Sequence, residues 1–175
     1  MRSPRPVVLL LLLAAAPASA QEVKLDYDKD ADFSTYKSFA WSPAQQPAPN
    51  PANHIRITRA VEAGLSGKGL TKSTDGKPDA FLMYHGRVGD KVKVTGRSEG
   101  GYWEPTNLRT VVDVGKVKEG TLVLEIYDAT TRDVVWRGVA TSVGIRADRM
   151  EEEIKAAVQK LLEGYPPKPE DEKKP

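Results

Sequence analysis

Alternating carboxylates near the start of the chain are the first residues whose types and spacing could bind a metal. The set comprises Asp26, Asp28, Asp30 and Asp32. A calcium-binding EF-hand loop also needs glycine at its sixth position for a sharp turn and glutamate at its twelfth as a bidentate ligand. Those positions hold Ala31 and Lys37. The pattern therefore favours a solvated acidic turn, with a loose cation site as the alternative, and no metal ligand is assigned.

The two histidines of the chain, His54 and His85, do not form a recognisable catalytic pattern. They fall on different predicted elements, without an HExxH motif or triad-like spacing, so a core or surface position is expected for each. The chain has no cysteine, which excludes thiol catalysis, disulfides and thiolate zinc sites. It also contains no phosphate-binding loop, nucleophile elbow or dinucleotide fingerprint. We therefore predict no catalytic residue and no cofactor.

An aromatic pair in a glycine-containing stretch is the candidate contact with a partner. Tyr102 and Trp103 follow Gly100 and Gly101. Glycines allow a mobile loop, and two adjacent exposed rings could bind a protein or a glycan. The alternative is that one or both rings fold back over the sheet.

The N-terminus has the three parts of a secretory signal peptide. Arg2 and Arg5 provide positive charge, residues 7–16 are apolar, and Ala18-Ser19-Ala20 is a small-x-small cleavage site. The apolar run is shorter than the roughly 20 residues of a membrane span. We expect cleavage between Ala20 and Gln21 and a periplasmic or secreted product. A mature chain without cysteine would carry no lipid anchor, and no transmembrane segment is expected in it.

Without residues 1–20 the chain keeps 155 residues, with 24 basic and 24 acidic ones. This length suits one domain with its own core. A neutral domain lacks the positive surface of a nucleic-acid-binding protein, so no nucleic-acid partner is expected. We assign residues 1–20 to the signal peptide, 22–165 to a single domain and 166–175 to a disordered, charged tail.

Hydrophobic periodicity predicts several strands and two helices around this core. Alternating or apolar runs predict strands at 23–27, 33–41, 80–88, 108–117, 121–127 and 134–141, whereas 89–107 is predicted to be irregular, with a weak alternation at 91–95 that could form a strand. One helix is predicted after an N-cap at Asn53, and a second near 150–162 behind a capping box of Asp148 and Glu151. Two amphipathic helices need one sheet face to cover. We therefore predict an α+β two-layer sandwich, with a mostly antiparallel sheet and both helices packed on one face.

Several segments together resemble one bacterial family. They are DFSTYKSFAW at 32–41, KGL at 68–70, PDAFLMYH at 78–85, GTLVLEIYDA at 120–129 and VWRG at 135–138. Their order and spacing resemble the bacterial envelope family of domain of unknown function 4136, over roughly residues 22–165. The resemblance implies an exported, envelope-associated α+β domain and implies no activity. Many members look like lipoproteins, and this chain departs from them because it lacks the lipid-accepting cysteine.

Three functions remain open from the sequence. The first is a non-enzymatic binding or scaffold domain of the cell envelope that contacts another envelope protein or a cell-wall component. The second is a carrier of a small apolar ligand or lipid, which would need an apolar cavity beneath the helices. The third is a hydrolase with an unrecognised site, which would need a cleft where ionisable groups converge.

Overall fold

The computed structural model describes residues 21–99, 109–143 and 145–168 of the chain. Strands and two α-helices follow one another in these ranges, as the α+β class expected from the sequence requires. In chain order they are β1 (Gln21–Tyr27), β2 (Ser38–Trp41), α1 (Pro51–Ser66), β3 (Thr71–Lys72), β4 (Ala80–Glu99), β5 (Arg109–Asp128), β6 (Val134–Val143) and α2 (Met150–Glu163).

The described strands form one mixed, six-stranded sheet in the order β1-β6-β5-β4-β2-β3. β1, β6, β5 and β4 pair antiparallel, whereas β2 pairs parallel with both β4 and β3. α1 lies in the chain between β2 and the two strands that pair with it, β3 and β4. This helical crossover carries the chain back along the sheet, so that β3 and β4 run in the same direction as β2. The long strands are thus antiparallel, as predicted, and β2 and β3 add a parallel edge that the sequence analysis did not include.

One hydrophobic core joins the sheet to both helices. Alternate strand residues such as Leu82, Leu124 and Trp136 are fully buried. They share a cluster with apolar residues of the helices, including Val61 of α1 and Val158 of α2. Each large apolar side chain buried in this way contributes about 1.5–3 kcal/mol relative to exposure. The helices also contact each other.

A glycine permits the close approach of α2 to the sheet. A Cβ atom placed on Gly138 would lie 2.6 Å from a ring carbon of Trp136 and 2.8 Å from Leu161 Cδ2. Both distances are shorter than van der Waals contact, so the ring and the helix occupy the space that a side chain would need. The absence of a side chain at Gly138 thus makes room for the large Trp136 ring and for Leu161 of α2.

The helices begin differently from the predictions. Asn50, not Asn53, caps α1: its side chain accepts hydrogen bonds from the backbone N–H of Ala52 and Asn53, and Pro51 occupies the first turn. The capping box predicted for α2 is wrong, because Asp148 lies in a short 3-10 turn and pairs with Arg146 at 2.7 Å. Neither described helix combines the length and the apolar character that crossing a membrane requires.

β4 is far longer than the strand predicted at 80–88, and the two strands predicted at 108–117 and 121–127 are one continuous strand, β5. β4 and β5 pair continuously from Ala80 with Asp128 to Glu99 with Arg109. β6 covers the edge of β5 only as far as Glu119. Residues 90–99 and 109–118 therefore pair only with each other, and we call this two-stranded segment the arm. Ten residues at about 3.4 Å each make it roughly 34 Å long. The irregular segment predicted from Gly89 is thus wrong up to Glu99.

Candidate functional site

The histidines and aspartates singled out from the sequence are not brought together by the described part of the fold. Tyr102 and Trp103 lie outside the described residues, in the segment that connects the two strands at the far end of the arm. His54 lies on α1, with its Nδ1 2.6 Å from the Tyr84 hydroxyl. His85 follows Tyr84 on β4, so its side chain points to the opposite face of the sheet, where it is exposed.

Asp28, Asp30 and Asp32 lie in the turn region that follows β1, as the sequence favoured, whereas Asp26 belongs to β1 itself. The Asp28 carboxylate accepts a hydrogen bond from the backbone N–H of Asp30, and Asp32 caps a 3-10 turn at Phe33–Thr35. Two hydrogen bonds from Ser34 lower the pKa of Asp32. The start of the predicted strand at 33–41 is therefore a helical turn instead. Among the described residues, no group of three or more His, Cys, Asp or Glu side chains is placed to hold a metal ion.

A buried carboxylate that the sequence analysis missed lies on the open face of the sheet. Glu125 is 2.9 Å from an Arg137 guanidinium nitrogen and accepts a hydrogen bond of 2.8 Å from the Tyr127 hydroxyl. His85 approaches it to 3.8 Å. Burial, and then the Glu125 carboxylate, raise the pKa of Tyr127. Glu125 and Arg137 are direct cross-strand partners of β5 and β6, so their ion pair stabilises this register.

The described cavities include an apolar cleft of about 390 Å³ between the helices and the sheet. This volume lies within the range of pockets that take small molecules. Its lining is contributed by α1, α2 and four strands and is mainly apolar. The apolar side chains include Ile57, Val88, Leu122, Ala140, Ile145 and Ile154. Such a lining is what the carrier hypothesis required of the fold.

Two glycines lie in the sheet beneath the cleft and leave it open. Gly86 of β4 and Gly120 of β5 both line it. A Cβ atom on Gly86 would lie 3.7 Å from Ile57 Cδ1, which is ordinary van der Waals contact. A larger side chain at Gly86 would therefore extend into the cleft without displacing the backbone. At Gly120 the corresponding distance to Ile145 Cδ1 is 3.1 Å, so little room remains there.

One hydroxyl in the cleft wall has no hydrogen-bond partner. Ser142 of β6 lines the cleft and is 6% exposed, and its Oγ atom makes no hydrogen bond to the described residues. The other buried hydroxyl in this state is that of Tyr165, which packs edge-to-face against Trp136 and Phe33 in the core. A buried polar group without a partner costs about 1–3 kcal/mol. Ser142 is therefore the polar feature of the cleft that calls for an explanation.

A larger groove of about 980 Å³ runs along the outer faces of the two helices. Charged residues line it, and Arg56 of α1 lies 4.0 Å from Glu151 of α2 across it. This ion pair is exposed and contributes little to stability. Because charged residues line the groove whereas the lining of the smaller cleft is mainly apolar, we take the cleft as the candidate ligand site.

The arm exposes an apolar face. Val92 and Val94 of β4, with Val112 and Val114 of β5, are between 58% and 65% exposed. All four occupy register positions on the side of the sheet where Leu82 and Leu124 are buried. Val94 and Val114 are direct cross-strand partners. The arm therefore presents a valine face that no described residue covers.

The family model described as "Domain of unknown function (DUF4136)" matches residues 23–167. The chain belongs to the DUF4136 family. The resemblance seen in the sequence is thus confirmed over most of the chain. No curated protein matches the sequence.

Two solved structures show a similar fold at low identity. A PDZ domain protein from Parabacteroides distasonis is 19% identical, with a TM-score of 0.59 over 85% of this DUF4136 chain. The match covers 36% of that protein, so this chain spans about a third of its length. A dodecameric PelC variant from Paraburkholderia phytofirmans is 14% identical, with a TM-score of 0.50, over 81% of this chain and 94% of that one. At these identities the likeness concerns the fold alone.

Proposed function

We propose that this chain is a non-enzymatic binding or scaffold domain of the bacterial cell envelope, and that the arm is the surface that contacts its partner. The observation that carries the proposal is the valine face of the arm. Four valines on one face of a two-stranded segment are costly to leave in water, because each would gain about 1 kcal/mol or more from burial. Contiguous exposed apolar residues typically mark interaction sites.

The edges of the arm support a protein partner. Neither β4 nor β5 has a further described strand beside residues 90–99 and 109–118, so each edge offers unpaired N–H and C=O groups. A partner can add an extended segment to such an edge, with affinity from main-chain hydrogen bonds and specificity from side chains on alternate positions. The partner's segment would then carry apolar residues against the valine face. Tyr102 and Trp103 connect the same two strands and are proposed to contribute to the contact.

The test is crosslinking and affinity capture from the native envelope with tagged protein. One variant replaces the valine face with threonines, which keep the β-branched shape and lose the apolar surface. Its substitutions are Val92→Thr, Val94→Thr, Val112→Thr and Val114→Thr. The matched control is Val134→Thr, an exposed valine of β6 away from the arm. Tyr102→Ala/Trp103→Ala forms a separate variant.

We expect one specific crosslinked species in wild type and in Val134→Thr, reduced about tenfold or more in the valine-face variant. Equal yields in all variants, at equal expression and equal thermal stability, would remove the arm from the proposal. A reduction only in the Tyr102→Ala/Trp103→Ala variant would assign the contact to the aromatic pair alone.

Export is the second part of the proposal. The charged start, the apolar run and the Ala18-Ser19-Ala20 site support it. Mass spectrometry of protein from cell fractions should find a mature chain beginning at Gln21 outside the cytoplasm. A cytoplasmic product that retains residues 1–20 would contradict it.

Contacts support the two-layer sandwich proposed for the architecture. Ile57 of α1 faces Gly86 of β4, and Leu161 of α2 faces Gly138 of β6. In both strands these glycines stand at core-facing register positions of the sheet. Both helices are thus proposed to lie on the same face.

A hydrolytic site gains no comparable support, because His54 and His85 contact different groups on opposite faces.

A second candidate function is favoured by the cleft, namely transport or storage of a small apolar ligand. Gly86→Val would place two methyl groups in the cleft and suit a strand position. Gly89→Val is the matched control, because it lies on the same strand with open space around its Cβ position. The fluorescent apolar probe N-phenyl-1-naphthylamine should bind wild type and Gly89→Val, and bind Gly86→Val at least about tenfold more weakly. Equal binding to all three would contradict this function.

A further inference from the structure

We propose that the cleft binds a single-chain amphiphile whose polar group is uncharged and accepts a hydrogen bond from the Ser142 hydroxyl. This inference rests on the carrier function proposed above and names its ligand class. Its two supports are the apolar lining of the cleft and the unpartnered hydroxyl in its wall.

The strand register leaves Ser142 without a polar neighbour on its β5 side, and the Gln21 side chain on its β1 side makes no hydrogen bond to the Ser142 hydroxyl. Its direct neighbours across the sheet are Gln21 of β1 and Gly120 of β5. Gly120 has no side chain, and Ile145 packs above it, so that side offers no polar group. A serine at a core-facing position of β6 is costly unless its hydroxyl is satisfied. A ligand oxygen in the cleft would satisfy it.

The volume of the cleft suits a ligand with one chain. About 390 Å³ lies near the lower end of the range of pockets that take small molecules, about 300–1,000 Å³. A medium-length aliphatic chain belongs to this size class. Apolar side chains from α1, α2 and the sheet surround such a chain, whereas its polar end lies at Ser142.

The charges around the cleft favour a neutral polar group. The ionisable residues of its lining are Glu153 of α2 and Arg87 of β4. Arg87 is exposed, and its register position directs its side chain away from the face that bears the cleft. Glu153 is therefore the ionisable side chain on the cleft side, and the α-ammonium that the proposed cleavage would place on Gln21, another lining residue, offsets its negative charge. The cleft then carries no net charge to hold a carboxylate or phosphate, whereas a hydroxyl, ester or amide group needs no counter-charge and still accepts from Ser142.

The test is displacement of N-phenyl-1-naphthylamine by decanol and by decanoic acid at pH 7. Wild type, Ser142→Ala and Gly89→Val are compared. We expect decanol to displace the probe from wild type and Gly89→Val at similar concentrations, and to require about five- to tenfold more for Ser142→Ala, the loss of one hydrogen bond. Decanoic acid should displace the probe from wild type more weakly than decanol does.

Unfolding without ligand provides the folding control. Ser142→Ala removes an unpaired buried hydroxyl, so its unfolding midpoint should equal or exceed that of wild type. A stable Ser142→Ala protein that binds decanol as wild type does would overturn the role of Ser142 and leave the carrier function standing. Tighter displacement by decanoic acid than by decanol would overturn the neutral ligand. Probe binding that is absent from wild type, or unaffected by Gly86→Val, would overturn the carrier function itself.

Discussion

At the scale of single residues, carboxylates of this chain mainly hold loops and strand ends in place. Asp79 shows this most clearly, because its Oδ2 accepts hydrogen bonds from the Ser38 hydroxyl and from the backbone N–H of Lys37 and Ser38. These bonds join the start of β2 to the start of β4. They also lower the pKa of Asp79, with the Ser38 hydroxyl as the largest cause. The PDA segment that supports the family resemblance thus has a structural role.

Asp79→Ala should lower the free energy of unfolding by about 1 kcal/mol at pH 7, a value reduced for solvent exposure of the carboxylate. Because the folded-state pKa is depressed, the stabilisation is fully present above the unfolded pKa of about 3.9 and is lost as pH falls through the folded value. Urea denaturation of both proteins from pH 7 to pH 3 should show a constant difference above about pH 5 and a shrinking one below about pH 4. A difference that is unchanged at pH 3 would contradict this explanation.

At the scale of elements, the sequence predicted best those that bury one face. β6 and α2 were predictable because Trp136, Gly138 and the apolar stripe of α2 repeat with the correct period. The β5 half of the arm was predicted as the strand at 108–117, whereas its β4 half was predicted to be mainly irregular, because both of its faces are exposed and Gly89 and Gly96 interrupt its apolar pattern. The cleft was also beyond sequence reasoning, since its lining comes from distant segments. The sequence offered one signal for the cleft. Ser142 places a polar residue at a core-facing position of β6, where an apolar residue is expected.

The packing of α2 on β6 gives a prediction at this scale. Gly138→Ala would force a methyl group within 3 Å of both the Trp136 ring and Leu161, so the helix must shift. We expect a loss of about 1–3 kcal/mol in the free energy of unfolding, as is usual for overpacked cores. Gly96→Ala, a strand glycine of the arm with nothing near its Cβ position, should change stability by less than about 1 kcal/mol. Similar losses in both variants would show that strand glycines matter for another reason.

At the scale of the whole molecule, the structure divides into a body that contains the buried core and the arm, which is proposed to contact a partner. Every residue of the buried core cluster lies outside residues 90–99 and 109–118. The cleft lies at the boundary, since Val88 and Gly120 at the base of the arm line it. Binding of a partner along the arm and of a ligand in the cleft would therefore involve neighbouring residues of the same two strands.

This division predicts that the body folds without the arm. Replacing residues 90–118 by Asn-Gly would join Gly89 to Glu119, which already face each other across β4 and β5, through a two-residue hairpin turn. No residue of the described core cluster is removed, and the lost backbone hydrogen bond from Ile145 to the Lys118 carbonyl is a single one. The free energy of unfolding should therefore stay within about 1 kcal/mol of wild type in urea denaturation. N-phenyl-1-naphthylamine should still bind, whereas envelope crosslinking should be lost. A body that unfolds without the arm would instead show that the valine face stabilises the fold.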